Sequence, residues 1–342
     1  MPAAQRRAPR WAWQPGGNLR EELPDSLCGM SESGEAEPKE IGIRLAGGYP
    51  RAQLDRLLRQ LEPVLSLHEP AVVRLDLDGL VFLGPTAQAV VAAAFHRVMT
   101  DGLHLPGSAV TIPRSTSVYR YLQRMDFFEP ITGKLPEEFK RHEPSGFRPL
   151  QHFEEAVGCY AAARELKDAL TEACGLDERV ASAAIHVCLA ELAENVLFHA
   201  DAPYGGFAAA QGWDKRSEVE VAIVDMGIGV QGSLTKNPTY ADIQGDVNAI
   251  AKALEPMVTA TPGRNSGLGL SLTRFLLRRN GGQLMVRSGH GALYAGAEEK
   301  SEECPSPFPG TIVMLMARTD AALDIKGAWD DLYTAGYRDV DL

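Results

Sequence analysis

The sequence predicts an α/β protein of two domains, an N-terminal βαβ domain followed by a C-terminal α/β sandwich. Three observations predict it. Over residues 41–129, short apolar runs alternate with segments whose apolar residues recur at helical spacing, the pattern of a largely parallel sheet with helices packed on it. From residue 153 onward two helical segments come first and most strand-like runs come later, which suggests helices gathered on one face of a sheet. Between these regions, residues 130–149 hold several Pro and Gly with mixed charges and read as a linker.

Taken in order, residues 1–38 are rich in Pro, Gly, Ser and charge, lack periodicity and are expected to stay disordered. Trp11 and Trp13 beside the arginines offer a small docking element as the alternative. The first domain, 39–130, begins with a strand at 41–45 and a helix at 53–65. A second strand follows at 72–77, a helix at 86–99 and a third strand at 109–112. Residues 115–124 read as a helix capped by Ser115 or Thr116. The linker is set at 131–150 and the second domain at 151–320, with 321–342 as a tail. That domain starts with helices at 153–174 and 178–200. Strands are expected at 206–213, 218–225, 283–287 and 311–317, with a helix at 270–279. Residues 230–266 form a long polar stretch rich in Thr, Pro, Asn and Gly, and loops of that length are often functional lids.

Composition narrows the function classes. At 342 residues the chain suits roughly two domains, and an apolar share of 45% supports real cores. A net charge of −11 argues against broad nucleic-acid or membrane-surface binding. Cys28, Cys159, Cys174, Cys188 and Cys304 are scattered with no C-x-x-C pair, so reduced core thiols are expected rather than a zinc site. No apolar run approaches the roughly 20 residues that span a bilayer. Residues 1–20 carry four arginines and no acid, but no apolar run of the secretory kind follows, so the cytoplasm is the expected location.

Three motifs in the second domain carry chemistry. Glu191, Asn195 and His199 lie at i, i+4 and i+8 and share one helix face, beside an apolar stripe that includes Cys188, Leu192 and Val196. An Asn side chain offers a neutral oxygen to Mg²⁺, and a Glu one turn away can orient or deprotonate an attacking group. A solvated polar face would show the same spacing, and His199 also reads as a satisfied helical histidine. Asp225 ends the run 219–224, and a carboxylate at the end of a buried strand needs a partner, for which the exocyclic amine of adenine is suitable. Gly227 and Gly229 then allow a tight turn against a flat base, although Asp-x-Gly also serves ordinary strand-to-turn junctions. Finally, Ser266-Gly267-Leu268-Gly269 opens a helix, where exposed backbone N–H groups can bind phosphate. Arg264 adds charge for a γ-phosphate, and the Thr311 hydroxyl could support Asp225 through water. Each motif is weak alone; in this order they describe an ATP site without a P-loop lysine.

The set resembles the ATP-binding domain shared by gyrase, histidine kinases, MutL and the anti-sigma-factor serine kinases, the GHKL superfamily or Bergerat fold. Its N box matches Glu191 and Asn195, its first glycine box Asp225, Gly227 and Gly229, and its second Gly267 and Gly269. The resemblance covers roughly 153–318. It implies ATP and Mg²⁺ as cofactors, with Asn195 ligating Mg²⁺, Asp225 reading adenine, and the loop Gly267-Leu268-Gly269 holding phosphates under the lid. Glu191 would be the general base. Histidine kinases usually carry Asn at that position, and the phrase from Glu191 through His199 is most similar to the anti-sigma kinases.

The first domain resembles the STAS domain of anti-sigma-factor antagonists over 74–83, the helix that follows, and 113–128. Those antagonists carry Asp-Ser-Ser-Gly at the start of the helix, whereas this chain reads Gly84-Pro85-Thr86-Ala87. Only Thr86 keeps a hydroxyl at the acceptor position; it is either a phosphoacceptor or a plain helix N-terminal hydroxyl after Pro85. Two functions are therefore expected. One is an ATP-dependent Ser/Thr kinase or ATPase of partner-switching signalling, acting on a STAS-type antagonist or another regulatory protein. The other is an ATP-gated conformational switch with slow hydrolysis or none. A homodimer is also a candidate assembly.

Overall fold

The computed structural model describes residues 11–14, 18–21, 38–132, 147–176, 178–198, 201–262 and 266–337. It is a mixed α/β protein with parallel and antiparallel sheets. Two compact units divide the chain: Met1–Leu83 with Ala94–Lys140, and Gly84–Ala93 with Arg141–Leu342.

In the first unit the strands are β1 (Trp11–Gln14), β2 (Asn18–Glu21), β3 (Glu40–Arg44), β4 (Gly47–Tyr49), β5 (Val72–Asp76), β6 (Leu80–Leu83) and β7 (Ala109–Thr111). The helices are α1 (Leu54–Leu65), α2 (Pro85–Thr100), α3 (Thr116–Arg124) and α4 (Glu129–Thr132), and α2 through Ala93 groups with the second unit. Strand β5 pairs parallel with β3 and with β7, as the βαβ pattern predicts. Helix α1 buries Leu54, Leu57, Leu58, Leu61 and Val64, the spacing of a single apolar face. Ser115 is the N-cap of α3, but its hydroxyl meets the Ser117 hydroxyl rather than a backbone N–H. Two findings depart from expectation. β1 and β2 form a hairpin within the segment expected to be disordered, and β2 pairs antiparallel with β7. A short second sheet also forms from β4 and β6.

The second unit contains β8 (Arg148–Phe153), α5 (Ala156–Cys174), α6 (Glu178–Phe198), β9 (Gly206–Trp213), β10 (Glu218–Asp225), α7 (Gly229–Leu234), α8 (Asp246–Ala253), α9 (Gly269–Asn280), β11 (Gln283–Ala295), β12 (Glu299–Arg318) and α10 (Ile325–Thr334). Its strands make one antiparallel sheet in the order β11-β12-β10-β9-β8. Val219, Val221 and Ile223 of β10 share a core with Leu166 of α5, Leu189 and Leu192 of α6, and Leu272 and Leu276 of α9. Burying these side chains is the main stabilising term of such a layer, about 1.5–3 kcal/mol for each large aliphatic. Cys159 and Cys188 lie in this core, where burial pushes each thiol up to about 12, as expected of inert core thiols.

The structure corrects several boundaries here. β8 occupies part of the expected linker and the start of the expected helix, and Phe153 is a core residue rather than a helical one. Pro149 is tolerated because β8 is the sheet's edge strand. β11 and β12 run well beyond the expected strands as a long hairpin, whose polar outward residues carry little apolar signal. The expected tail holds α10, which packs on α9. The lid stretch is not simply a loop: α7 and α8 enclose a small core of Leu234, Ala249 and Val258. No helix among the described residues is long and apolar enough to cross a membrane.

Candidate functional site

The cleft forms where the sequence motifs converge. On α6, Leu189, Leu192 and Val196 face the core, which turns Glu191 and Asn195 half-buried toward the cleft. The end of β10 supplies Asp225 and the interior of β12 supplies Thr311, directly opposite it in the ladder. Gly267 and Gly269 come from the start of α9. Gly229 of α7 and the lid residues Ser233 and Val258 complete the wall.

Asp225 is 4% exposed, and its Oδ1 accepts the Gly227 N–H at 2.8 Å. Burial pushes its carboxyl up to about 7, while hydrogen bonds from Gly227 and from the Thr311 backbone and hydroxyl act in the opposite sense. Thr311, opposite Asp225 in the ladder, thus works against the effect of burial on its carboxyl. The buried polar pair is surrounded by apolar wall: Ile223, Val313, Leu234 and Val258 line the same cleft. A flat heterocycle with an amine donor suits that combination, because the apolar faces take the ring and the carboxylate takes the N–H.

Two glycines are dictated by geometry. Gly229 has φ +72°, and a Cβ there would lie 2.6 Å from Ser288 Oγ. Gly267 has φ +68°, and a Cβ would lie 2.7 Å from the Val258 carbonyl oxygen of the lid. The loop before α9 and the lid are thus in close backbone contact.

Glu191 makes contacts that its helix spacing does not reveal. Its Oε2 accepts the N–H groups of Leu268 at 3.0 Å and Gly269 at 2.6 Å. Its Oε1 accepts the Ser266 hydroxyl. Leu268 lies behind the cleft wall, 5% exposed, and enters the site only through its N–H.

Seven of the expected site residues therefore line one cleft: Glu191, Asn195, Asp225, Gly229, Gly267, Gly269 and Thr311. Gly227 and Leu268 contribute backbone N–H groups from its edge. Arg264 and His199 lie outside the described residues. Thr86 does not line the cleft: it is 1% exposed, and its hydroxyl and N–H both donate to Glu220 Oε1, at 2.7 and 3.2 Å. Glu220 is itself 2% exposed, on the face of β10 opposite Val219 and Val221.

Sequence reasoning missed several supporting residues. Ser288 Oγ donates to the Gly310 carbonyl at 2.7 Å and accepts the Val230 N–H at 2.9 Å, tying β12 and α7 together beside Asp225. Asn237 organises the lid, donating to the Thr259 carbonyl at 2.9 Å and accepting the Thr239 N–H at 3.0 Å. Asp246 at the start of α8 accepts the His290 N–H at 2.8 Å, anchoring the lid to β11. No spacing in the sequence marks Ser288 or Asp246, since each acts on backbone from a distant segment, whereas Asn237 before Pro238 carries a local N-cap signal. Compared with known proteins, the chain matches no family model and no curated protein sequence.

Proposed function

We propose that the second unit is an ATP site of the GHKL (Bergerat) type, in a regulatory protein of the anti-sigma-kinase type. On this reading the γ-phosphate of ATP passes to a Ser or Thr hydroxyl of a STAS-type partner, or to water. One observation carries the reading: the start of α9, the end of β10 and the C-terminal half of α6, far apart in sequence, meet in one cleft under the lid. The parallel βαβ arrangement of β3, β5 and β7 supports reading the first unit as STAS-like.

Each residue then has a role. Asp225, backed by Thr311, accepts the adenine amine between the apolar walls. The N–H groups at the start of α9 take phosphate oxygens, where the helix dipole favours an anion. Mg²⁺ takes oxygen ligands, with one or two from protein and the rest from phosphate and water, and the Asn195 amide oxygen beside Glu191 fits that donor set. Bound there, the metal neutralises charge on the phosphates. Glu191 accepts the proton of the attacking hydroxyl as its oxygen bonds to the γ-phosphorus and the bond to the β–γ bridging oxygen breaks, releasing ADP. Arg264, outside the described residues, remains a candidate for extra charge at the γ-phosphate. Thr86, buried and bonded to Glu220, is poorly placed to accept a phosphoryl group, so the acceptor is assigned to a partner.

A second reading, an ATP-gated switch with slow hydrolysis, is favoured by a specific observation: the Glu191 carboxylate is engaged by Ser266, Leu268 and Gly269. Incubation with labelled ATP and Mg²⁺, followed by mass spectrometry of the protein and of candidate STAS partners, separates the two. Label on a partner hydroxyl, lost in Glu191→Ala, supports the kinase, and free phosphate alone supports an ATPase. Nucleotide binding without either product supports the switch. Wild-type protein that binds no adenine nucleotide overturns both.

A further inference from the structure

The N–H groups that should hold phosphate already have an anionic partner, and it is the residue assigned as base. Leu268, the N-cap of α9, provides no side-chain cap to its own helix. The first N–H groups of a helix lack intrahelical partners and carry partial positive charge. Glu191 supplies the missing acceptor from α6, with Oε2 on the Leu268 and Gly269 N–H groups at 3.0 and 2.6 Å and Oε1 on the Ser266 hydroxyl. Gly269 is shaped for this contact: a Cβ there would lie 2.7 Å from Glu191 Cβ and 3.2 Å from Oε2. The absent side chain at position 269 thus admits the carboxylate as well as leaving backbone bare.

Resting on the ATP-site reading above, we propose that Glu191 is an internal competitor of the triphosphate. A carboxylate oxygen and a phosphate oxygen cannot occupy the same two N–H groups at once. Seated on the loop, the Glu191 carboxylate is held by Leu268, Gly269 and Ser266, so it points at the loop rather than at a substrate hydroxyl. Phosphate that takes the loop displaces Glu191, and the freed carboxylate can then accept the proton of the attacking group. The base is therefore released only by the nucleotide whose phosphates take its place on the loop. This coupling suppresses proton abstraction before the phosphates are in place, and it costs nucleotide affinity.

The competition is measurable in the full chain by calorimetric titration with adenosine and, separately, with Mg²⁺ and the non-hydrolysable analogue AMP-PNP. Glu191→Gln removes the charge, and Glu191→Asp keeps the charge on a side chain one methylene too short to reach the loop in the same way. Both should bind AMP-PNP about tenfold more tightly than wild type, the scale of one charged hydrogen bond, with adenosine affinity unchanged. If neither variant gains, or if only the Gln variant gains, seating on the loop is not the cause and the proposal falls. Retained adenosine binding reports that each variant is folded. Should the variants fail to fold, hydrogen exchange of the wild-type protein without nucleotide still decides: the Leu268 and Gly269 amides should be protected, and free exchange there overturns the proposal. A wild-type protein that binds neither adenosine nor AMP-PNP instead overturns the ATP-site reading on which the proposal rests.

Discussion

Asp225→Asn tests the electrostatics of the cleft, because it keeps the shape of the side chain and removes its titration. Burial raises the carboxyl from its ordinary 3.8 to about 7. At about 1.4 kcal/mol per pKa unit, that gap sets roughly 4 kcal/mol against the folded protein once the group is ionised. The folded carboxyl holds its proton to higher pH than the unfolded one. Its contribution is therefore favourable at acid pH and is lost as pH rises through about 7. The Asn variant has no proton to lose. It does place an NH₂ group against the donors of Gly227 and Thr311, which costs about 1–3 kcal/mol at every pH. The variant should thus be less stable than wild type near about pH 4 and more stable near about pH 8, with the difference changing by roughly 4 kcal/mol across the range. Urea denaturation of both proteins at stepped pH measures this, since titrations elsewhere in the chain cancel in the difference. A difference that stays flat with pH would refute the reasoning. On the functional side, the variant should lose adenine-nucleotide binding even where it is the more stable protein.

Three further outcomes are expected. Wild-type adenosine affinity should rise with pH up to about 7, by at most about tenfold per unit, because the adenine amine favours the ionised Asp225; calorimetry at constant ionic strength checks it. Gly229→Ala should destabilise the protein by about 1–3 kcal/mol, from both its positive φ and its clash with Ser288. Adding Ser288→Ala should recover only part of that loss in thermal melts, since the backbone strain remains. Thr86→Val should cost about 1–3 kcal/mol in chemical denaturation by removing a hydroxyl donor from the buried Glu220, whereas Thr86→Ser should cost less.

Strong local patterns were legible without the fold. The strand ending at Asp225 reads mostly apolar, broken only by Glu218 and Glu220, because β10 is buried on both faces from Val219 on, and its bounds match the expected ones. Helices α1, α2, α6 and α9 announce themselves by helical spacing or by unbroken apolar length. β8, the extended β11–β12 hairpin and α10 were not legible. They sit at an edge, on a polar surface or past an expected boundary, where partners on other segments decide structure more than local propensity does.

The same division runs through the site. The order and spacing of Glu191, Asn195, Asp225 and the Gly267-Leu268-Gly269 loop are properties of the chain, because helix periodicity and glycine chemistry set what each motif can do locally. What those groups bond to is not local. That Thr311 bears directly on Asp225 follows from the β10–β12 register. That Thr86 is buried against Glu220 follows from where the start of α2 folds. That Glu191 caps α9 follows from the close approach of α6 to Gly269. Hydrogen bonds act over about 3 Å, and only tertiary packing brings residues 75 or more positions apart within that reach.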